Sequence, residues 1–296
     1  MPLSHESTVS RTLVHRAAVA EVLLTDWQHT EPDVFHIAAQ WPPGHVIYGA
    51  SEGHFDPLLV AETIRQSGIL IAHVGYGVPD GWSFVMGRLA FDCAPDHLQN
   101  VAGPLDLTAI VRISELVRKG SAVRGMKYDA QICHDGSPLG SGTAWARWIP
   151  PTAYERLRLG RRTASAPADP PVVTPADPKL VGRQRPDDVV VGTRDADGTH
   201  VLRVPLGHPI YFDHEVDHVP GMLTIEAMRQ VALHDTSSHA AAVAGVDATF
   251  LSFVELDRNC TVTMKTLDRS SSGYVAHTQC VQDGAVTVYG DVTLLR

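Results

Sequence analysis

Apolar residues gather in two long runs, each surrounded by shorter segments in which apolar and polar positions alternate. The first run extends from Leu58 to Val74, interrupted by Glu62, Arg65, Gln66 and His73. The second places Met222, Leu223, Ile225, Ala227, Met228, Val231 and Leu233 around Glu226, Arg229 and Gln230. Runs of that length predict buried helices, and alternation predicts half-buried strands. The predicted strands of the first half are Val22–Leu24, Val34–Trp41, Phe84–Phe91, Leu107–Ser114, Met126–His134 and Thr143–Trp148. Those of the second are Val189–Val191, His200–Val204, Phe250–Leu256, Cys260–Thr266, Tyr274–Gln282 and Val286–Leu295. Asp135-Gly136 and Asp283-Gly284 predict hairpin turns, because both central residues of such a turn need positive φ. Each half is therefore predicted to be α+β, one long central helix packed on a curved antiparallel sheet.

The two halves are copies of one domain. His54-Phe55-Asp56-Pro57-Leu58-Leu59-Val60-Ala61-Glu62-Thr63-Ile64-Arg65-Gln66 matches His218-Val219-Pro220-Gly221-Met222-Leu223-Thr224-Ile225-Glu226-Ala227-Met228-Arg229-Gln230. Val14-His15-Arg16 matches Val181-Gly182-Arg183, and Pro42-Pro43-Gly44-His45 matches Pro205-Leu206-Gly207-His208. The offset is 208 − 45 = 163 at the histidine and 226 − 62 = 164 at the glutamate. A period this long exceeds any solenoid repeat, whose units run to about 50 residues.

The expected partition is an N-terminal domain over residues 1–152, a linker over 153–180 and a C-terminal domain over 181–296. Eight prolines between Pro150 and Pro186 are expected to break regular structure there. Arg156, Arg158, Arg161 and Arg162 make the start of the linker basic. This reads either as a solvated connector or as a docking surface for an acidic carrier protein or a phosphate-bearing substrate.

Composition narrows the class. A length of 296 residues, 44% hydrophobic and 19% charged, suits two soluble globular domains. The net charge of −9 argues against a nucleic-acid binder. No uncharged apolar run is long enough to span a bilayer and no secretory signal is visible, so a cytoplasmic location is expected. Cys93, Cys133, Cys260 and Cys280 form no C-x-x-C pair and read as reduced core thiols. Neither a metal site nor a nucleotide cofactor is expected, since no ligand spacing, G-x-G-x-x-G or P-loop occurs.

The chemistry is expected at the repeated helix. A buried charged pair is costly unless paired or used, and here it recurs in register. Glu226 and Arg229 share a helix face, as do Glu62 and Arg65. Pro220-Gly221 opens the second helix, so the amides of Gly221 and Met222 form a candidate site for a carbonyl oxygen or anion. His218 stands just before it, close to Asp217 and His214, and the equivalent residue of the first half is His54. Gln66 and Gln230 complete the candidate set. The alternative is a purely structural, buried Glu–Arg pair that locks the two halves together. His45 and His208 read as satisfied histidines at strand ends.

Residues His214 to Met228 resemble the helix start of hotdog hydroxyacyl-carrier-protein dehydratases, but the loop before Pro220 differs in length. Arg229 also replaces a small residue. Over nearly the whole chain the sequence resembles the A-factor biosynthesis hotdog family, the AfsA-type γ-butyrolactone and butenolide signal synthases. The resemblance is carried by the tandem layout, Val14-His15-Arg16, Asp56 to Gln66, Val181-Gly182-Arg183, Asp213-His214 and Asp217 to Met222. It implies two tandem hotdog domains forming a pseudo-dimer, active as a monomer or a homodimer. It also implies transfer of a β-ketoacyl group from an acyl-carrier-protein or CoA thioester to the hydroxyl of dihydroxyacetone phosphate. The family's acidic and basic functional residues fall on Glu62, Arg65, Glu226 and Arg229. Under that reading Glu226 or Glu62 is the base, Arg229 and Arg65 clamp the phosphate, and Trp82, Phe84 and Phe91 are either acyl-tunnel lining or core. A dehydratase, a thioesterase and a non-catalytic acyl-binding regulator stay open as alternatives.

Overall fold

Alternating side chains become antiparallel strands in both halves, and the two apolar runs become their longest helices. The computed structural model describes residues 2–49, 53–99, 103–159, 169–236 and 242–296. It divides into two compact units, Met1–Ala164 and Ser165–Arg296. In the first unit the strands are β1 (Leu24–Glu31), β2 (Val34–Trp41), β3 (Ser83–Cys93), β4 (Leu105–Lys119), β5 (Ala122–His134) and β6 (Ser137–Ile149). They lie in the order β1-β2-β4-β5-β6-β3, every described pair antiparallel. In the second unit they are β7 (Thr199–Val201), β8 (Ala242–Phe250), β9 (Cys260–Arg269), β10 (Gly273–Gln282) and β11 (Ala285–Leu295), ordered β8-β11-β10-β9-β7.

Helix α1 (Leu58–Val74) packs on the first sheet and is buried along its length except at Arg65 and Val74. Tyr128 Oη on β5 donates to Ile64 O at 2.9 Å, and Trp41 Nε1 on β2 donates to Thr63 Oγ1 at 2.9 Å. Gly68 lets the helix approach that sheet, because a Cβ there would collide with the Tyr128 ring. Helix α3 (Gly221–Thr236) takes the same place in the second unit, packing on β9 and β10. The predicted hairpin turns are present: φ is 47° and 78° at Asp135 and Gly136, and 53° and 75° at Asp283 and Gly284.

Four expectations need correction. Val22, Leu23 and Val189–Val191 lie outside the named strands. The amides of Leu23 and Val190 bond to the side chains of Gln66 and Gln230, so they cannot serve a ladder. The strand expected over His200–Val204 ends at Val201. The strand expected at Phe250–Leu256 lies upstream, at Ala242–Phe250, paired with β11. Beyond it the chain leaves the sheet and Val254 O accepts from Val219 N at 2.9 Å, bracing the approach to α3. Finally, the linker prolines do not exclude a helix. Helix α2 (Pro151–Leu159) begins on one, since proline at a first helical position gives up an amide that had no partner anyway. Arg161, Arg162 and Pro167 lie outside the described residues.

The four cysteines are unbridged, and Cys93, Cys260 and Cys280 are buried. Burial, with Asp92 and Asp56 nearby, pushes the Cys93 thiol up to about 12, so it stays protonated and unreactive. Among the described residues no helix is long and apolar enough to cross a membrane.

Candidate active site

Each central helix carries its glutamate into a cluster of buried donors. In the second unit, Arg183 grips Glu226 at two points, Nε to Oε1 at 2.7 Å and Nη2 to Oε2 at 2.6 Å. Arg229 Nη2 adds a bond to Oε1 at 3.2 Å, and Gln230 Nε2 another at 2.6 Å. The Glu226 side chain is 0% exposed and that of Arg229 5%. In the first unit, Arg16 Nη2 lies 2.6 Å from Glu62 Oε1, Arg65 binds both carboxylate oxygens at 2.8 Å, and Gln66 Nε2 donates to Oε1 at 2.7 Å. Two guanidiniums per carboxylate satisfy the charge that burial would otherwise penalise. For Glu62, burial is the largest single influence and raises the pKa. The charges of Arg16 and Arg65 and the bonds from Arg65 and Gln66 together outweigh it and hold the carboxyl well below its ordinary range. A carboxylate so stabilised is a poor proton acceptor at neutral pH.

Arg16 and Arg183 were not among the sequence candidates, although the repeat contained both. Each follows a 3-10 turn (Arg11–Val14, Pro178–Val181) whose next residue turns left-handed, with φ 52° at His15 and 67° at Gly182. The Arg amide then closes back on Arg11 O at 3.0 Å or Pro178 O at 2.8 Å, which turns the chain and aims the guanidinium at the helix. His15 also touches His73 of α1, Nε2 to Nε2 at 2.9 Å.

Gln66 and Gln230 brace rather than line a cleft. Both are 0% exposed. Gln66 binds Leu23 N, Glu21 O and Glu62; Gln230 binds Val190 N, Asp188 O and Glu226. His45 and His208 are satisfied histidines in loops. The Nδ1 of each accepts from two backbone amides, so Nε2 carries the proton, 3.2 Å from Glu21 and 3.3 Å from Asp188. Phe91 is core. Phe84 packs between His73 and Trp148, and Trp82 lies under the Arg124 guanidinium at 4.3 Å.

The two helix starts differ. At α1, the Asp56 carboxylate accepts from Leu58 N at 2.9 Å, and the neighbouring Pro57 has no amide hydrogen. That end is capped by its own chain. At α3 the matching residues are Pro220, Gly221 and Met222, so no carboxylate stands at the cap and both following residues carry an N–H. The first intrahelical bonds come from the next amides, Leu223 and Thr224, to Pro220 O at 3.0 and 3.2 Å. Beside this start, His218 Nδ1 lies 2.7 Å from Asp217 Oδ1. A carboxylate only accepts, so Nδ1 holds the proton and Nε2 is the basic nitrogen. The His218 side chain is 27% exposed, and its ring meets Phe253 at 4.7 Å. His214 is paired separately with Asp213 at 2.5 Å. His54 is exposed and follows Gly53, where the second half has Asp217.

Comparison with known proteins agrees with this duplicated layout. The A-factor biosynthesis hotdog domain matches residues 2–150 and again 164–294. The chain is 38% identical over 267 residues to the 2-oxo-3-(phosphooxy)propyl 3-oxoalkanoate synthase of Streptomyces virginiae, covering 90% of both chains. It is 37% identical to the synthase of that name from Streptomyces coelicolor, covering 85% of this chain and 80% of the relative. Among solved structures, an acyl-ACP thioesterase from Bacteroides thetaiotaomicron superposes with TM-score 0.54 at 13% identity, covering 88% of this chain and 97% of the other. The 12:0-ACP thioesterase of Umbellularia californica gives 0.53 at 11% identity, over 90% and 99%. These likenesses establish the fold, two tandem hotdog domains. The chain belongs to the A-factor biosynthesis hotdog family, AfsA.

Proposed function

We propose that this protein is an acyltransferase that makes a 2-oxo-3-(phosphooxy)propyl 3-oxoalkanoate, joining a 3-oxoacyl group to the hydroxyl of dihydroxyacetone phosphate. The observation that carries this reading is the identity of 38% across 90% of both chains with the Streptomyces virginiae synthase of that name. The acyl donor is an acyl-carrier-protein or CoA thioester in the cytoplasm. The product closes by an aldol-type condensation to a butenolide or furan precursor of a γ-butyrolactone, butenolide or furan signal.

The second domain supports the reaction better than the first. His218 Nε2 takes the proton of the acceptor hydroxyl as its oxygen attacks the thioester carbonyl. The oxyanion that forms is held by the amides of Gly221 and Met222 at the positive end of α3. The carbon–sulfur bond then breaks, and the thiolate leaves with the proton from His218. Asp217 fixes the imidazole tautomer. Glu226, Arg183, Arg229 and Gln230 position α3, and Glu62, Arg16, Arg65 and Gln66 do the same for α1. His54 takes no chemical step in this reading.

Mass spectrometry of the protein with a 3-oxoacyl thioester, with and without dihydroxyacetone phosphate, tests the proposal. A phosphorylated ester that forms only with both substrates is expected. Free acid, or a dehydrated acyl group, formed without the acceptor would replace it with a thioesterase or dehydratase.

A further inference from the structure

The far end of α3 gathers a second group of side chains that acyl transfer does not use. His234 and Asp235 lie in the helix's last turn, and His200 comes from β7. His234 Nδ1 is 3.0 Å and His200 Nε2 3.4 Å from one oxygen, Asp235 Oδ1, and each of the three residues offers one ligand atom within 4.8 Å of the others. The His200 side chain is 0% exposed and that of Asp235 3%. The two imidazoles meet edge to face at 4.7 Å.

The contact with Gly192 O fixes one proton of His200. Its Nδ1 is 2.9 Å from Gly192 O, a carbonyl that can only accept, so Nδ1 carries a proton. In the neutral ring, Nε2 then turns a lone pair toward a carboxylate oxygen inside the fold. Two facing lone pairs repel unless positive charge stands between them. The surroundings match the outer shell of a metal site, where a ligating histidine donates its other N–H to a backbone carbonyl and the ligating carboxylate is itself held by a donor. Here Gly192 O plays the first part, and Arg194, whose Nε is 3.2 Å from Asp235 Oδ1, the second. Tetrahedral zinc with bonds of 2.0–2.1 Å separates neighbouring ligand atoms by about 3.3 Å. The distances of 3.0 and 3.4 Å lie on either side of that value.

We propose that His200, His234 and Asp235 bind a divalent transition metal of the zinc class, with solvent as the fourth ligand. Two imidazole nitrogens and one carboxylate oxygen favour such an ion over magnesium or calcium. Asp235 follows Met222 by 13 residues, about 20 Å along the helix, so the ion takes no part in acyl transfer. It ties the three-residue strand β7 and the segment before it to the end of α3, and binding raises stability by mass action. No ligand-spacing motif announced it, because His200 is 35 residues from Asp235 in the chain.

The test is titration of the untagged full-length protein, stripped of metal by chelator, with zinc by calorimetry and with cobalt by its d–d absorbance. One ion per chain, tetrahedral cobalt bands and a zinc-dependent rise in melting temperature are expected. His234→Gln and Asp235→Asn should each weaken binding about tenfold or more. The His234 side chain is 17% exposed, so His234→Gln is the variant expected to fold normally, checked by circular dichroism. Absence of saturable binding at micromolar metal, or unchanged affinity in folded His234→Gln, would overturn the proposal and leave a proton on His200 as the balancing charge.

Discussion

Arg183 and Glu226 lie 43 residues apart and meet fork to fork inside the second domain, at 2.7 and 2.6 Å. Arg16 and Glu62 make the corresponding contact in the first domain at 2.6 Å. The E-x-x-R-Q helix is therefore half of a larger device. A second arginine, delivered by a left-handed turn ahead of the first strands, completes the charge balance around each glutamate. The buried carboxylate draws together segments distant in sequence within each domain.

Removing one partner of that contact should be expensive. Arg183→Met leaves Glu226 buried with weaker compensation, and a loss of about 3–5 kcal/mol in urea unfolding is expected. The exposed pair Lys127–Glu115, at 3.3 Å with side chains 53% and 58% exposed, is the contrast. Lys127→Ala should cost no more than about 1 kcal/mol. Equal costs would mean that the buried clamp is not a structural anchor.

The acid limb of stability should carry the signature of Glu62. Its folded pKa is depressed, so its contribution is fully present above the ordinary value of 4.5 and is lost as pH falls through the lower folded value. Unfolding free energies measured from pH 5 downward should decline less steeply in Glu62→Gln than in the wild type. Parallel curves would show that the carboxylate is not held low. Because this group is already ionised at neutral pH, it should add no inflection to the activity profile between pH 5 and 8.

His218 is expected to carry the proton transfer. His218→Asn should lower turnover about a hundredfold to ten-thousandfold with little change in melting temperature, given a side chain that is 27% exposed. Asp217→Asn should also lower turnover, because an amide can stabilise the opposite tautomer. His54→Asn, at the matching place in the first domain, serves as the comparison. If it lowers turnover as much as His218→Asn, both domains contribute chemistry.

Much of this was legible in the residues. The duplication, both central helices and both Asp-Gly hairpin turns follow from periodicity and turn chemistry, because those signals are local. Phe250–Leu256 alternates locally like a strand. Pairing with β11 selects Ala242–Phe250 instead, and that choice depends on a partner strand far along the chain. The glutamates and their i+3 arginines could be read because one helix face holds both. Arg16 and Arg183 could not be assigned a role because their partners lie 46 and 43 residues away. Their presence in matching V-x-R triplets was the available signal. The difference between the helix starts was also written in the sequence, as Asp56-Pro57 against Pro220-Gly221, but it acquires meaning only when Asp56 is seen bonded to Leu58 N.

That difference gives the most direct measurement. Pro220→Asp places at α3 the same carboxylate cap that α1 already has. It should stabilise the protein by about 1 kcal/mol through the helix end. It should also remove ester formation from a 3-oxoacyl thioester and dihydroxyacetone phosphate, because the carboxylate would occupy the Met222 amide that holds the oxyanion. A Pro220→Asp protein that melts higher and has lost turnover is the predicted result. Wild-type turnover in a stabilised variant would contradict the assignment of the reaction to the start of α3.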